Sequence, residues 1–93
     1  MRIVWDEPKR LENLRKHGFD FAVLEFAFFE DASIIPAKEN RLKAVGVLTE
    51  KVIVVIFFGL GREGLSVISM RPANKMERRL YEQNKIEHPS DNG

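Results

Sequence analysis

The chain has 93 residues, 44% of them hydrophobic and 31% charged, with a formal net charge of +1 and no cysteine. That length holds one small domain with a single core, and the composition is that of a folding chain rather than a disordered one. Without cysteine there is no disulfide, thiolate metal site or cysteine nucleophile, which fits a reducing cytoplasm; the longest apolar run, Val52 to Leu60, reaches about half a membrane span, and the start carries no signal-peptide pattern.

The opening Arg2-Ile3-Val4-Trp5 has strand character and leads into Asp6-Glu7-Pro8, a helix start. Asp6 is placed to accept from free backbone N–H groups, Glu7 favours the positive end of the helix dipole, and Pro8 gives up an N–H that the first turn does not use. The first helix is expected to run to His17, with Leu11 and Leu14 on its apolar face and Gly18 as the left-handed residue that ends it. Asp20 restarts the pattern, and Phe21, Leu24 and Phe28, widened by Ala22, Phe26 and Phe29, predict a mostly buried second helix over Phe21 to Phe29.

Beyond Glu30-Asp31 the chain turns β-rich. Segments at about Ser33–Ala37, Leu42–Leu48, Val52–Phe58 and Leu65–Met70 read as four successive strands joined by short links, hence a mainly antiparallel sheet. Val52 to Phe58, apolar on both faces, is the expected central strand. The glycine-rich link Gly59 to Gly64 lacks the Lys-Ser/Thr ending of a P-loop and reads as a flexible hairpin turn. Asn74 and Glu77 form a capping-box-like start for a third helix, expected to reach Asn84 with Met76 and Leu80 as its apolar seam. The expected unit is one α+β domain over residues 1–86, two helices and then a meander and a last helix, with a flexible tail over 87–93.

The small net charge hides an uneven distribution. Residues 1–17 carry five Lys/Arg against three Asp/Glu, residues 18–40 one against five, and residues 71–85 five against two. A fold that joins the basic ends makes a local cationic face. His17 and His88 are far apart and no carboxylates sit at ligand spacing near them, so a metal site is not expected. No serine is marked by a neighbouring base and acid. The groups left suit phosphate: RNA is cut without metal when its own 2′-OH attacks the adjacent phosphorus, provided the protein moves protons and neutralises the pentacoordinate charge. Arg71, closing a strand ahead of a helix, and Arg78 suit the second task. Glu77 and Tyr81, one turn apart, suit proton transfer.

The segments WDEPKRLENLRKHGFDF and ISMRPANKMERRLYE, with Ala44-Val45-Gly46 between them, together resemble the BrnT family of type II toxins over roughly residues 3–83. The resemblance implies a RelE-like ribonuclease fold, with two N-terminal helices on one face of a small sheet and a C-terminal helix. It implies an endoribonuclease without cofactor or metal, held by a cognate BrnA-like antitoxin through which alone it meets operator DNA, and a toxin dimer within that complex. Carried over by position, Arg71, Glu77, Arg78 and Tyr81 are the expected catalytic set. Arg41, Lys16 and His17 match further family positions, and with Lys75 and Arg79 they are the expected RNA-binding set. The chain departs from the family pattern at Ser66, where a second arginine is usual, and at Phe57-Phe58-Gly59-Leu60, where a polar or charged strand end is usual. These departures keep a second reading open, a catalytically silent partner-binding module and co-repressor. Lys16-His17-Gly18 also reads as an ordinary helix C-terminus, Trp5 as a core anchor, and Glu77 as a capping acid.

Overall fold

Side-chain alternation in the β-rich half decides the architecture. In β4 (Lys51–Gly59), Ile53 and Val55 lie on one face and Val54 on the other, and all three are fully buried. A strand apolar on both sides needs cover on both sides. The computed structural model, which describes residues 1–87, supplies it. Strands β1 (Arg2–Trp5), β2 (Ser33–Pro36), β3 (Leu42–Leu48), β4 and β5 (Gly64–Pro72) form one sheet in the order β1-β5-β4-β3-β2. The four strands read from the sequence are antiparallel neighbours, and β1 adds to the edge parallel to β5. This is the expected α+β class with a mainly antiparallel sheet.

Helices α1 (Glu7–His17) and α2 (Phe26–Asp31) accompany the larger core, where Phe21, Leu24 and Phe28 meet Ile53, Val55, Val67 and Met70. Helix α3 (Lys75–Glu87) serves the opposite face, where Val45, Val54 and Ala73 form a second cluster with Ile56 and Tyr81 against it. It runs three residues past the expected end at Asn84, and the expected tail lies, from residue 88 on, outside the described residues. Among the described residues no helix is long and apolar enough to cross a membrane.

Three local expectations are corrected. The second helix is broken: Phe21–Val23 is one 3-10 turn capped by the Asp20 side chain, Leu24 is extended (φ −72°, ψ 139°), and α2 begins only at Phe26. One uninterrupted helix would spread Phe21, Leu24, Phe26, Phe28 and Phe29 over roughly 200° of its circumference, too wide for a single sheet face; the break lets both halves aim inward. Asp6 stands at the N-cap of α1 but makes no side-chain capping bond. Glu7 instead accepts from the Trp5 indole N–H and from Arg10, and Arg10 also pairs with Asp20 at 3.0 Å.

The third correction concerns helix faces. Leu11 is 52% exposed, whereas Asn13 between the two leucines is buried at 7%. The Asn13 amide donates to the Phe19 carbonyl, and its oxygen accepts from the Met70 backbone N–H at 3.0 Å. A register shift lies in the β4–β5 ladder after Ile56, just before Ser69 and Met70, and Asn13 supplies a partner for a backbone donor there. Likewise α3 buries Glu77 and half-buries Tyr81, while Met76 is 78% and Leu80 40% exposed. In both helices a polar side chain turns inward because backbone or charged partners await it there.

Two glycines are fixed by close approach. A Cβ on Gly46 would lie 2.9 Å from Cε1 of Phe28, so glycine lets α2 settle on β3. Gly64 has φ +136°, and a Cβ there would lie 1.8 Å from the Arg2 carbonyl oxygen. The link expected to be merely flexible thus ends on the residue that admits β1 to the sheet. Gly61 also has positive φ but open space around it. Gly64→Ala should therefore cost about 3 kcal/mol or more of stability and Gly61→Ala about 1–2 kcal/mol, an order that urea denaturation midpoints of the two variants will check.

Candidate functional site

Strand β5 ends at Pro72, and Asn74 opens α3 three residues before Glu77. The Glu77 backbone N–H donates to Oδ1 of Asn74 at 2.8 Å, and Oε1 of Glu77 accepts from the Asn74 backbone N–H at 2.9 Å. This reciprocal capping box turns the carboxylate back over the sheet, where residue exposure falls to 6%. A buried carboxylate needs compensation. Arg71, on the α3-side face of β5, provides it with two parallel bonds of 2.8 Å, Nη1 to Oε1 and Nη2 to Oε2. Lys43 on β3 adds a third contact, Nζ to Oε2 at 3.2 Å.

The bidentate bond from Arg71 is the largest cause holding the Glu77 carboxyl down at about 2; burial opposes it, and the Asn74 N–H and Lys43 assist. Arg71 is raised from its ordinary value chiefly by the same bond. Two cations face one carboxylate, so the cluster keeps positive charge on the sheet surface. Of the five N–H groups of a guanidinium, Arg71 gives two to Glu77 and one to the Pro72 carbonyl at 3.2 Å. Nε–H and the second hydrogen of Nη2 are parallel donors without a partner among the described residues, a fork of the shape that binds two phosphate oxygens.

The remaining expected residues distribute unevenly. Arg78 leans on the same helix start, donating to the Ala73 carbonyl at 3.0 Å. Tyr81, one turn beyond Glu77, packs its ring beside Val45, Val54 and Ala73, with Lys85 Nζ 5.7 Å from its centroid. Lys75 and Arg79 are exposed on α3. Arg41 pairs loosely with Glu39 at 3.6 Å and lines a groove with Pro36, Ala37, Lys38, Lys43 and Ile56. Lys16 and His17 do not line that groove; they border a different one with Pro8, Asn13, Ile68 and Ser69. At the far end of β4 and β5 stand the departures noted above, Phe58 paired with Ser66, with Phe58 and Leu60 each 37% exposed. Among the described residues no three of His, Cys, Asp and Glu gather as metal ligands.

Lys43 is the member that sequence reasoning missed. Its signal was present: a lysine between Leu42 and Ala44 in an otherwise apolar strand needs a reason to face a sheet surface.

Comparison with known proteins gives the family of the chain. Residues 5–77 match the family model described as the ribonuclease toxin BrnT of type II toxin–antitoxin systems. The 1.1 Å crystal structure of the Brucella abortus ribonuclease toxin BrnT superposes with a TM-score of 0.76 at 53% identity, covering 81% of this chain and 99% of that one. No curated protein sequence matches the chain.

The cluster carries a pH signature. Glu77 is held below its ordinary 4.5 in the folded state, so its contribution is full above about pH 4.5 and is lost as the pH falls toward about 2. Glu77→Gln should be less stable than the parent at pH 7 by roughly 1–3 kcal/mol. Denaturation of both proteins from pH 7 to pH 2 should show the gap closing at the acid end; a constant gap would mean that the ion pairs contribute nothing.

Proposed function

The chain belongs to the BrnT family of type II ribonuclease toxins, and from that premise we propose that it is a metal-independent endoribonuclease whose phosphate-binding centre is Arg71. The observation that carries this reading is the bidentate Arg71–Glu77 pair, which holds a guanidinium rigid at a strand end with one donor edge unspent.

In this reading the 2′-oxygen of the nucleotide preceding the scissile bond attacks phosphorus. Its proton passes to water, a 2′,3′-cyclic phosphate forms as the bond from phosphorus to the 5′-oxygen breaks, and the 5′-oxygen leaves with a proton supplied by Tyr81, which water restores. Arg71 holds two non-bridging oxygens and offsets the charge that grows on them in the transition state. Glu77 acts through Arg71. A carboxylate held near 2 and engaged by an arginine, a lysine and a backbone N–H is a poor proton acceptor at neutral pH, so its role is to orient the fork. Tyr81, next along the helix, remains the group for proton transfer, and Arg78 and Arg41 add charge at either side. The exposed Lys75 and Arg79 extend the cationic surface along the RNA. Lys16 and His17, on a different groove, serve RNA beyond the cleaved bond.

A type II toxin is paired with an antitoxin. A BrnA-like partner presenting an acidic segment to Arg71 and Arg78 would inhibit by occupying the RNA site, and operator DNA would be reached only through that partner, with a toxin dimer inside the complex. One observation favours a second reading, a silent binding module: Phe58, Leu60 and Ser66 put uncharged side chains at positions where further cations would extend the RNA surface.

The two readings part on end-labelled RNA incubated with antitoxin-free protein in excess EDTA. A nuclease should leave 2′,3′-cyclic phosphate ends. Arg71→Lys, which keeps the charge but loses the fork, should slow cleavage on the order of 100-fold in a protein that still unfolds cooperatively, at a somewhat lower temperature because Glu77 loses its bidentate partner. Intact RNA beside folded parent protein would leave the binding module standing.

A further inference from the structure

The groove beside the Glu77 cluster borders the second hydrophobic cluster through Ile56. It has a volume of about 560 Å³ and is lined by Pro36, Ala37, Lys38, Arg41, Lys43 and Ile56, within the size range of small-molecule sites. Its chemistry is mixed in a particular way. Ile56 lies directly across the ladder from Lys43, so the floor is aliphatic next to a cation. Pro36 and Ala37 make an apolar wall. Three cations stand around it, and no acid lines it.

The wall that carries two of the cations is held rather than loose. Glu39 and Asn40 are both left-handed, at φ 60° and 63°, and the turn they form is closed by the Ala37 N–H to the Arg41 carbonyl at 2.9 Å and the Arg41 N–H to the Lys38 carbonyl at 3.1 Å. Lys43 links the groove to the catalytic candidates. It touches the outer oxygen of Glu77 at 3.2 Å, against 2.8 Å for each Arg71 bond. An ammonium has three donors and a flexible stem, so Lys43 can turn one donor to a ligand while Arg71 alone keeps Glu77 compensated.

We propose that this groove is the subsite for the nucleotide flanking the scissile phosphate of single-stranded RNA, and that Lys43 is an exchangeable cation that moves from Glu77 to a substrate phosphate while the base rests on Pro36 and Ile56. The proposal rests on the ribonuclease reading for the identity of the ligand and adds to it a binding surface and a binding residue. The exchange has an energetic logic. Before RNA arrives, Lys43 helps Glu77 hold its charge; afterwards the phosphate's negative charge replaces that of Glu77 for Lys43, and neither state leaves a buried charge unmatched. Arg41 and Lys38 supply the adjacent backbone contacts, and base–aliphatic packing tolerates several bases.

Binding is measured by fluorescence anisotropy with a labelled single-stranded oligoribonucleotide whose 2′-hydroxyls are methylated, so that no cleavage can occur. Lys43→Gln and Arg41→Gln should each weaken binding several-fold at about 0.1 M salt and lower the salt slope by about 0.7. Lys43→Arg should restore most of the affinity. Arg62→Gln, the same charge change on the exposed β4–β5 turn, should leave binding near the parent. If Arg62→Gln weakens binding as much as the groove variants, or if the parent does not bind, the subsite is wrong. Arg41→Gln, whose side chain is partnered only by exposed Glu39 among the described residues, keeps the test sound if Lys43→Gln lowers stability. Failure of the ribonuclease reading is a separate result: natural RNA would survive in EDTA while the groove variants still lost affinity for the oligonucleotide. RNA cleavage with an unchanged KM in both groove variants would retain the nuclease and overturn the subsite.

Discussion

One buried carboxylate organises the functional half of this molecule. Glu77 satisfies a free backbone donor of the strand-to-helix junction and in the same pose meets Arg71 and Lys43. Removing a carboxylate from water is costly unless its lone pairs are met, and here two come from a fork, one from an ammonium and one from the chain itself. The consequence runs outward. Arg71 is fixed because Glu77 is fixed, and Glu77 is fixed because Asn74 caps the helix. The orientation of the Arg71 guanidinium thus depends on a local backbone motif of a few residues.

The opposite face of the sheet obeys another constraint. There the ring-rich segment from Phe19 to Phe29 must be buried against β3, β4 and β5, and the chain achieves this by breaking a helix and by placing glycine where a phenyl ring presses on the strand. Asn13 then docks α1 through a backbone donor of β5 instead of through leucine. Both N-terminal helices belong to the packing side, and Arg10, the most deeply tied cation of α1, is spent on Glu7 and Asp20. Structure and chemistry are therefore divided between the faces: the phenylalanine core lies on one, and the carboxylate cluster with its arginine on the other.

Much of this was legible. The four strands, the first helix with its Gly18 ending, the Asn74–Glu77 cap and the mainly antiparallel sheet follow from alternation, turn chemistry and capping rules that act over a few residues. What was not legible depended on long-range partners. Met76 and Leu80 look like an apolar seam because periodicity assumes that apolar residues turn inward; the actual inward residue is Glu77, which meets Arg71 six residues back on β5 and Lys43 far away in sequence on β3. Leu11, Leu14 and Asn13 repeat the same inversion on α1. The parallel placement of β1 was hidden because a short strand carries no record of its neighbour, and Gly64, which admits it, looked like turn chemistry. In the candidate site Arg71, Glu77 and Arg78 could be named from their positions around the helix start, whereas Lys43 was passed over although its charge breaks an apolar strand.

The net charge of +1 gains a physical meaning in this arrangement. Strong non-specific attraction to nucleic acid requires a broad cationic field, and a small net charge weakens it here, with several basic residues neutralised locally: Arg10 by Glu7 and Asp20, Arg15 by Glu12, and Arg71 with Lys43 partly by Glu77. The pairs on α1 are mainly exposed and contribute little beyond cancelling the field. The pair on β5 and α3 differs, because its acid is buried and its cations outnumber it. At that place two cations share one acid, so the cluster keeps a positive charge that a phosphodiester would complement. Such a region favours a ligand that brings its own negative charge to the shared lysine, and it does so without the broad basic surface that would hold every RNA equally.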